Sequence, residues 1–268
     1  MDALNPWKND TAEAEAAVAE AAVAAVICAA GSSRRMDGIK KEYQPLPGKK
    51  MGKVAGLTVL GAAVSAFAAI PCIKTIVITV PADPETGEAA ARKALPQQLL
   101  AGKNGTSIHF VSGGKNRRAS VFNALSLLSN QSFANSSPGF VLIHDGARPW
   151  ISLSLIERII ESAKIHHAAI PLVPLVETPK ETDLPLDDAQ TVFIKQHLRR
   201  SVVGCAQTPQ GFAFPEIFAA HEQAAVHEDR TSVEFTDDAE IWACFCGPVA
   251  AIPGEMENRK ITFVEDIC

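Results

Sequence analysis

The sequence predicts an α/β protein built on a mostly parallel sheet with helices on both faces. Short apolar runs rich in β-branched residues alternate with longer helical patterns, and the runs lack the polar alternation of strands that face water. With 268 residues, 47% of them apolar and 21% charged, the chain is long enough to bury such a sheet in one large domain.

Seven apolar runs are predicted to be strands. The first, Ala24–Ala30, reads AAVICAA and carries no charge. The others are Thr75–Val80, Ile108–Val111, Phe140–His144, Ala169–Val173, Val202–Ala206 and Val249–Ile252. Helical patterns separate them at Leu57–Ala69, Arg118–Leu128, Ser152–His166, Pro215–His227 and Asp237–Phe245. Because a helix between two strands lets them run parallel, we expect ligands to bind at the carboxyl ends of the strands.

Two segments fall outside this alternation. Thr11–Ala22 is rich in helix formers, and residues 1–22 are predicted to form an N-terminal extension, with one domain over residues 23–268. Val176–Arg200 is polar and contains Pro179 and Pro185, which predicts an arm that leaves the sheet.

Charge and cysteine usage restrict the class of protein. A net charge of −5 argues against a protein that binds nucleic acid by general electrostatics. Glutamates interrupt the alanine-rich start, so neither a signal peptide nor a membrane span is expected. The six cysteines are scattered, and Cys244-Phe-Cys246 is not a zinc spacing. These features predict free thiols and a cytoplasmic protein.

The first predicted strand leads into a turn of small residues, Ala29-Ala30-Gly31. Such a turn lets backbone N–H groups approach phosphate oxygens, although it matches neither the Rossmann nor the Walker motif. Residues 34–53 hold seven Lys or Arg against two acidic residues, a local charge of +5. We therefore expect an anionic ligand, with Arg35 and Lys41 as the cations nearest the turn.

Six further motifs follow the first loop, AAGSSRRM, in a fixed order. They are SGGKNRRASV from Ser112, HDGARP from His144, ETPK from Glu177, QTPQ from Gln207, TDDAE from Thr236 and NRKIT from Asn258. In this order they resemble the 2-C-methyl-D-erythritol 4-phosphate cytidylyltransferase (IspD) family, from about residue 23 to the C-terminus. The resemblance implies a Rossmann-like nucleotidyltransferase fold with a protruding arm.

The resemblance also implies which residues bind the two substrates. CTP would contact the first loop, the Gly-Gly segment and the end of the fourth predicted strand. The residues implied are Ala29, Ala30, Gly31, Gly114, Arg117, Ser120, Asp145 and Gly146. The methylerythritol phosphate would contact Asp145, Thr178, Arg200, Thr208 and Thr236, with Arg199 as the neighbouring alternative to Arg200. The family's arm reaches into a second subunit, which implies a homodimer with an exchanged arm.

The implied reaction transfers a cytidylyl group and releases pyrophosphate. Arg35, Lys41 and Lys260 would stabilise charge on the α-phosphate, with Mg²⁺ held mainly through the CTP phosphates. Two departures from the family pattern affect this assignment. Ser33 stands where a second Gly is usual, and Lys40 replaces a Pro, so Lys40 is an alternative to Lys41.

Three other functions are also compatible with the sequence. A cytidylyltransferase for ribitol 5-phosphate shares the same motifs, and a sugar-nucleotide transferase that uses UTP or GTP shares the fold. A non-catalytic nucleotide-binding module is the alternative from another class of protein. Retention of Lys41, Asp145 and Lys260 argues against that module.

Overall fold

The computed structural model describes residues 21–33, 36, 38–47, 54, 56–102, 105–130, 138–186, 191–231 and 234–267. The strands in these ranges are β1 (Val23–Cys28), β2 (Ile73–Val80), β3 (Ser107–Ser112), β4 (Phe140–Asp145), β5 (Ala168–Pro174), β6 (Lys180–Thr182), β7 (Ile194–His197), β8 (Gly204–Ala206), β9 (Gln210–Ala213) and β10 (Ala250–Pro253). The α-helices are α1 (Val59–Ala68), α2 (Glu88–Ala94), α3 (Gln97–Leu100), α4 (Arg117–Ser129), α5 (Leu153–His166), α6 (Glu216–Thr231) and α7 (Asp238–Phe245). Short 3₁₀ helices cover Lys41–Tyr43, Arg200–Val202 and Val264–Ile267.

Eight strands form one mixed sheet in the order β10-β5-β9-β4-β1-β2-β3, with β8 paired to β5. Neighbours run parallel from β4 through β1 and β2 to β3, and β10 runs parallel to β5. Strand β9 lies antiparallel between β4 and β5. The predicted α/β class with a mostly parallel sheet is confirmed, and β9 is an antiparallel insertion that the apolar pattern did not predict.

Helices cover both faces of the sheet, and at β9 each face contacts a different helix. A Cβ at Gly211 would lie 2.8 Å from Ile159 of α5, so only glycine lets that helix approach the strand. On the other face, Phe212 stacks on Trp242 of α7 with ring centroids 5.6 Å apart. The buried core between the layers extends from β1 to α7, and it holds the site-bearing strand ends in place.

The segment predicted as an arm contains a separate two-stranded sheet, β6 paired antiparallel with β7. Its apolar side chains are exposed, most strongly Leu186 at 80% and Phe193 at 72%. The predicted strand Val202–Ala206 is shorter than expected, because Arg200–Val202 forms a 3₁₀ turn and only Gly204–Ala206 pairs with β5.

None of the helices in the described ranges combines the length and apolarity needed to span a bilayer. The predicted extension over residues 1–22 falls almost wholly outside the described residues.

Candidate active site

A cavity of about 590 Å³ opens where the parallel strands β1 and β4 end side by side. Cys28, the last residue of β1, is the register partner of Asp145, the last residue of β4. The loops after both strands therefore lead into one space, as expected at the carboxyl edge of a parallel sheet.

The cavity wall combines residues from several of the predicted motifs. Predicted site residues that line it are Ala30, Gly31, Lys41, Gly114, Arg117, Ser120, Asp145 and Lys260. Residues to which the motifs assigned no role also line it: Cys28, Ser32, Ser33, Glu42, Thr79, Lys115, Asn116, Ala147 and Thr262. Several of these carry hydroxyl or amide groups at loop positions, which the apolar and charge patterns do not single out.

The loop after β1 is tied to the lysine-bearing turn that follows it. Ser33 has a positive φ of 49°, and its Oγ accepts a hydrogen bond from the backbone N–H of Lys41 at 3.4 Å. The buried Lys40 donates to the carbonyl of Gly31 at 2.5 Å and pairs with Glu42 at 3.0 Å. Burial lowers the pKa of Lys40, against the opposing effect of Glu42. Lys40 thus holds the loop, whereas Lys41 lines the cavity.

The Gly-Gly segment joins β3 to α4 and lies against the loop after β1. A Cβ at Gly113 would collide with the Cβ of Ala30, so glycine allows the two loops to touch. The N–H of Gly114 donates to Ser120 Oγ at 3.0 Å, and Asn116 caps α4 by accepting from the Ala119 N–H. The N-terminal end of α4 therefore faces the cavity, where it favours an anion.

Asp145 is the central carboxylate of the cavity, and three cations surround it. Its Oδ2 lies 3.0 Å from Lys260 and 3.4 Å from Arg148, and its Oδ1 lies 3.7 Å from Arg117. Burial by itself would raise the pKa of Asp145, but Lys260, Arg117 and Arg148 outweigh it and hold the pKa far below its usual value. Asp145 is therefore ionised at neutral pH. Arg148 also donates to the carbonyl of Asn258, which fixes it within the fold.

A buried polar network supports Asp145 from behind. Its backbone N–H donates to Thr208 Oγ1 at 3.0 Å, and Thr208 lies 3.1 Å from His144 Nδ1. Burial lowers the pKa of His144 to about 4, so this histidine is neutral at pH 7. Thr208 thus contacts the strand end and does not line the cavity.

The C-terminal segment around Ile261 connects Lys41 and Lys260 to the end of β4. Ile261 is fully buried, and its N–H donates to the Ala147 carbonyl at 2.9 Å. Its carbonyl accepts from Lys41 Nζ at 2.9 Å, and the preceding residue is Lys260. One buried residue thereby sets the positions of two cavity cations from distant parts of the chain.

Comparisons with known proteins agree with this geometry. A family model described as IspD, 2-C-methyl-D-erythritol 4-phosphate cytidylyltransferase, matches residues 23–268. The chain belongs to the IspD family. A 2-C-methyl-D-erythritol 4-phosphate cytidylyltransferase of Pelotomaculum thermopropionicum is 33% identical over 246 residues, or 91% of each chain. The resemblance stated from the motifs is thus confirmed at the level of the family.

Solved IspD structures share the fold. The 4-diphosphocytidyl-2C-methyl-D-erythritol synthase of Anaerococcus prevotii gives a TM-score of 0.68 at 26% identity, covering 94% of this chain and 95% of that one. The bifunctional enzyme IspD/IspF of Mesorhizobium japonicum is 34% identical over 261 residues, covering 96% of this chain and 56% of that protein. The chain thus spans about half the length of the bifunctional relatives it matches.

Several of the residues implied by the IspD resemblance do not line the cavity. Ala29 and Gly146 lie beneath its wall, where their N–H groups donate to the Thr79 and Cys28 carbonyls. Thr178 and Arg200 are exposed on the arm, and Arg200 donates to the Val176 carbonyl at 2.6 Å. Thr236 is exposed beside α7 and donates to Glu240. Arg35 lies outside the described residues.

The donor set in this IspD-family cavity suits a cation bound mainly by a substrate. No group of three or more His, Cys, Asp or Glu side chains is arranged to hold a metal among the residues described. Asp145 Oδ1 is the less engaged oxygen of the central carboxylate, since its nearest cation is 3.7 Å away. One carboxylate together with phosphate oxygens is an arrangement typical of Mg²⁺.

Proposed function

We propose that the chain transfers a cytidylyl group from CTP to 2-C-methyl-D-erythritol 4-phosphate, forming 4-diphosphocytidyl-2-C-methyl-D-erythritol and pyrophosphate. The observation that supports this most is the arrangement of Lys41, Arg117 and Lys260 around one cavity beside a small-residue loop. A cationic cavity of this size suits a nucleoside triphosphate and the phosphate that attacks it. The names of the full-length relatives agree with this substrate pair.

The substrate phosphate is already an anionic nucleophile, so the reaction needs no covalent enzyme intermediate. Its oxygen attacks the α-phosphorus of CTP in line, the bond to the bridging oxygen breaks, and pyrophosphate leaves. The main obstacle is repulsion between two polyanions. Lys41 and Lys260, and Arg35 by the family resemblance, would offset the charge that develops on the α-phosphate oxygens.

Asp145 places a negative charge in the cavity and orients the Lys260 ammonium. Its ionised carboxylate lies 3.0 Å from Lys260 Nζ, which fixes the ammonium while leaving 38% of that side chain exposed toward ligand. The remaining carboxylate oxygen suits a substrate hydroxyl, because an ionised Asp only accepts hydrogen bonds. Backbone groups of the loops at Gly31 and Gly114 suit the phosphates and the cytosine edge.

Mg²⁺ is the proposed cofactor, held mainly by the CTP phosphates. When bound, it would supply charge neutralisation of the triphosphate and assist the departure of pyrophosphate. We also propose the cytoplasm as the site of action, because the cysteines in the described ranges are unpaired.

A homodimer with an exchanged arm would complete the second half of the site. Thr178 and Arg200, the implied phosphate contacts, are exposed on the arm. The arm also exposes the apolar side chains of Leu186 and Phe193, and the turn after it exposes Val202. An apolar surface of this kind on a projecting hairpin is typical of a protein–protein contact. We therefore propose that each polyol phosphate site combines one chain's cavity with the partner's arm.

Pyrophosphate release measured with separate substrate pairs tests the proposal. CTP with methylerythritol phosphate should give the fastest release, with kcat/KM at least tenfold above that for CTP with ribitol 5-phosphate. Faster release with ribitol 5-phosphate would reassign the acceptor. CTP binding without release from either pair would identify a nucleotide-binding module, and would contradict the proposed reaction.

A further inference from the structure

Arg117 stands out because it joins the cavity to a fully buried aspartate–histidine pair that the motifs did not link to it. Its Nη1 lies 2.7 Å from Asp238 Oδ2, and its Nε faces Asp145 at 3.7 Å. Asp238 is the first residue of α7 and is completely buried. The other oxygen of Asp238 lies 3.2 Å from Nε2 of His221, a residue of α6 that is also completely buried.

We propose that Asp238, supported by His221, is a positioning residue for Arg117, which it holds against the cavity so that the guanidinium is aligned for the nucleotide. This inference rests on the proposed use of CTP. It extends that function by assigning a role to the second acidic residue of the TDDAE motif.

The geometry distinguishes this role from ordinary N-terminal capping. The cap of α7 is the preceding residue, Asp237, whose side chain accepts from the Glu240 N–H at 2.9 Å. Asp238 is therefore not the capping residue of α7. Its carboxylate is directed instead at a cation that is 32% exposed to the cavity and at a fully buried histidine.

Burial of the Asp238 carboxylate costs desolvation free energy that a charged partner must offset. Arg117 is that partner, and its planar guanidinium fixes the geometry of the ion pair. Although burial acts to raise the pKa of Asp238, Arg117 and His221 lower it below its usual value, so the carboxylate is ionised. An arginine held by one buried carboxylate has fewer accessible rotamers, which reduces the entropy lost when an anion binds.

The next residue on the same helix provides a natural control. Arg118 forms a buried ion pair with Glu228 of α6 at 2.6 Å, but neither residue lines the cavity. The two pairs have adjacent arginines on α4 and buried carboxylates on helices that pack together. Glu228→Gln should therefore cost stability as Asp238→Asn does, without the same effect on the nucleotide.

Steady-state kinetics of these variants test the inference. Asp238→Asn should raise the KM for CTP by about 10- to 100-fold, the range measured when a residue that orients a metal ligand is removed. The KM for methylerythritol phosphate should change less than threefold, and Glu228→Gln should change neither constant by more than threefold. If Asp238→Asn does not fold, Asp238→Glu moves the carboxylate by one methylene and should also raise the KM for CTP more than Glu228→Gln does.

A double-mutant cycle identifies Arg117 as the intermediary. In an Arg117→Gln background, Asp238→Asn should change the KM for CTP by less than twofold, because the group that it positions is gone. A further change of more than fivefold in that background would contradict the inference. So would a single Asp238 variant that matches Glu228→Gln while the wild type turns over CTP. A wild type that releases no pyrophosphate from CTP would contradict the proposed function itself, and this inference with it.

Discussion

The two halves of the implied site differ in how far one chain builds them. The residues implied for the nucleotide, among them Gly114, Arg117 and Asp145, converge on one cavity at the ends of adjacent strands. Those implied for the polyol phosphate on the arm, Thr178 and Arg200, are exposed and line no part of that cavity. The edge of the parallel sheet thus brings the nucleotide residues together within one chain, whereas the two arm residues lie outside the cavity that it forms.

Packing explains the contrast. The nucleotide half lies at the ends of the buried strands β1 and β4, and its charges are fixed by ion pairs such as Asp145 with Lys260 at 3.0 Å. In the described part of the arm, the backbone pairing is the short one between β6 and β7. Covering its exposed apolar side chains with a partner surface would lower the free energy.

Nucleotide choice tests the preformed half most strongly. Replacing CTP by UTP should reduce kcat/KM for pyrophosphate release by on the order of 10⁴-fold, because a site that pairs with the exocyclic amine leaves polar groups unmatched on a carbonyl. The control is the KM for methylerythritol phosphate at saturating CTP, because this constant reports on the acceptor half of the site. Equal rates with CTP and UTP would contradict the assignment of CTP as the nucleotide substrate.

Lys41 is the second test of the preformed half. Lys41→Ala should lower kcat by about 10²- to 10³-fold, the loss typical of one group that stabilises transition-state charge. The matched control is Lys40→Ala. Because Lys40 is buried against Gly31 and Glu42, its loss should mainly raise the KM for CTP and leave kcat within about tenfold. The reverse ranking of the two kcat values would assign the catalytic role to Lys40.

Exposed apolar residues on the arm provide the third test. The double variant Leu186→Ser, Phe193→Ser should weaken dimerisation by about tenfold or more, equivalent to about 1.4 kcal/mol. It should lower activity at low protein concentration and leave CTP binding unchanged. The control is Val226→Ser on α6, because the Val226 side chain is half-exposed but lies off the arm. Analytical ultracentrifugation that gives the same dissociation constant for both variants would exclude the arm from the interface.

The smallest expected effect is on stability in acid. Neighbouring cations hold the pKa of Asp145 below its unfolded value, so its ion pairs stabilise the fold at higher pH and are lost as the pH falls through the folded pKa. Between about pH 5 and pH 2, the free energy of unfolding should fall by on the order of 1 kcal/mol more in the wild type than in Asp145→Asn. Urea denaturation measures this difference, and Asp183→Asn on the exposed arm should follow the wild type. Identical pH dependence in wild type and Asp145→Asn would mean that these ion pairs add no stability.

The sequence predicted the parallel strands and their loops because apolar runs and small-residue turns have local signatures. It missed β9, since its four residues include Gln210 and Gly211, which break the apolar pattern. Both have tertiary reasons: Gln210 contacts the N-terminal end of α7, and Gly211 makes room for α5. It also did not link Arg117 to Asp238, which are far apart in the chain, because only the packed helices bring them within 2.7 Å.

The central claim is that one chain builds the nucleotide half while the partner's arm completes the acceptor half. Mixing Arg200→Ala chains with Lys41→Ala chains tests it directly, since each homodimer lacks one group at both sites. Random exchange makes half of the dimers mixed, each with one intact site, so activity should recover to about a quarter of the wild-type value. Recovery to that level supports the shared site. No recovery despite chain exchange confirmed by mass spectrometry, or a fully active monomer, would contradict it.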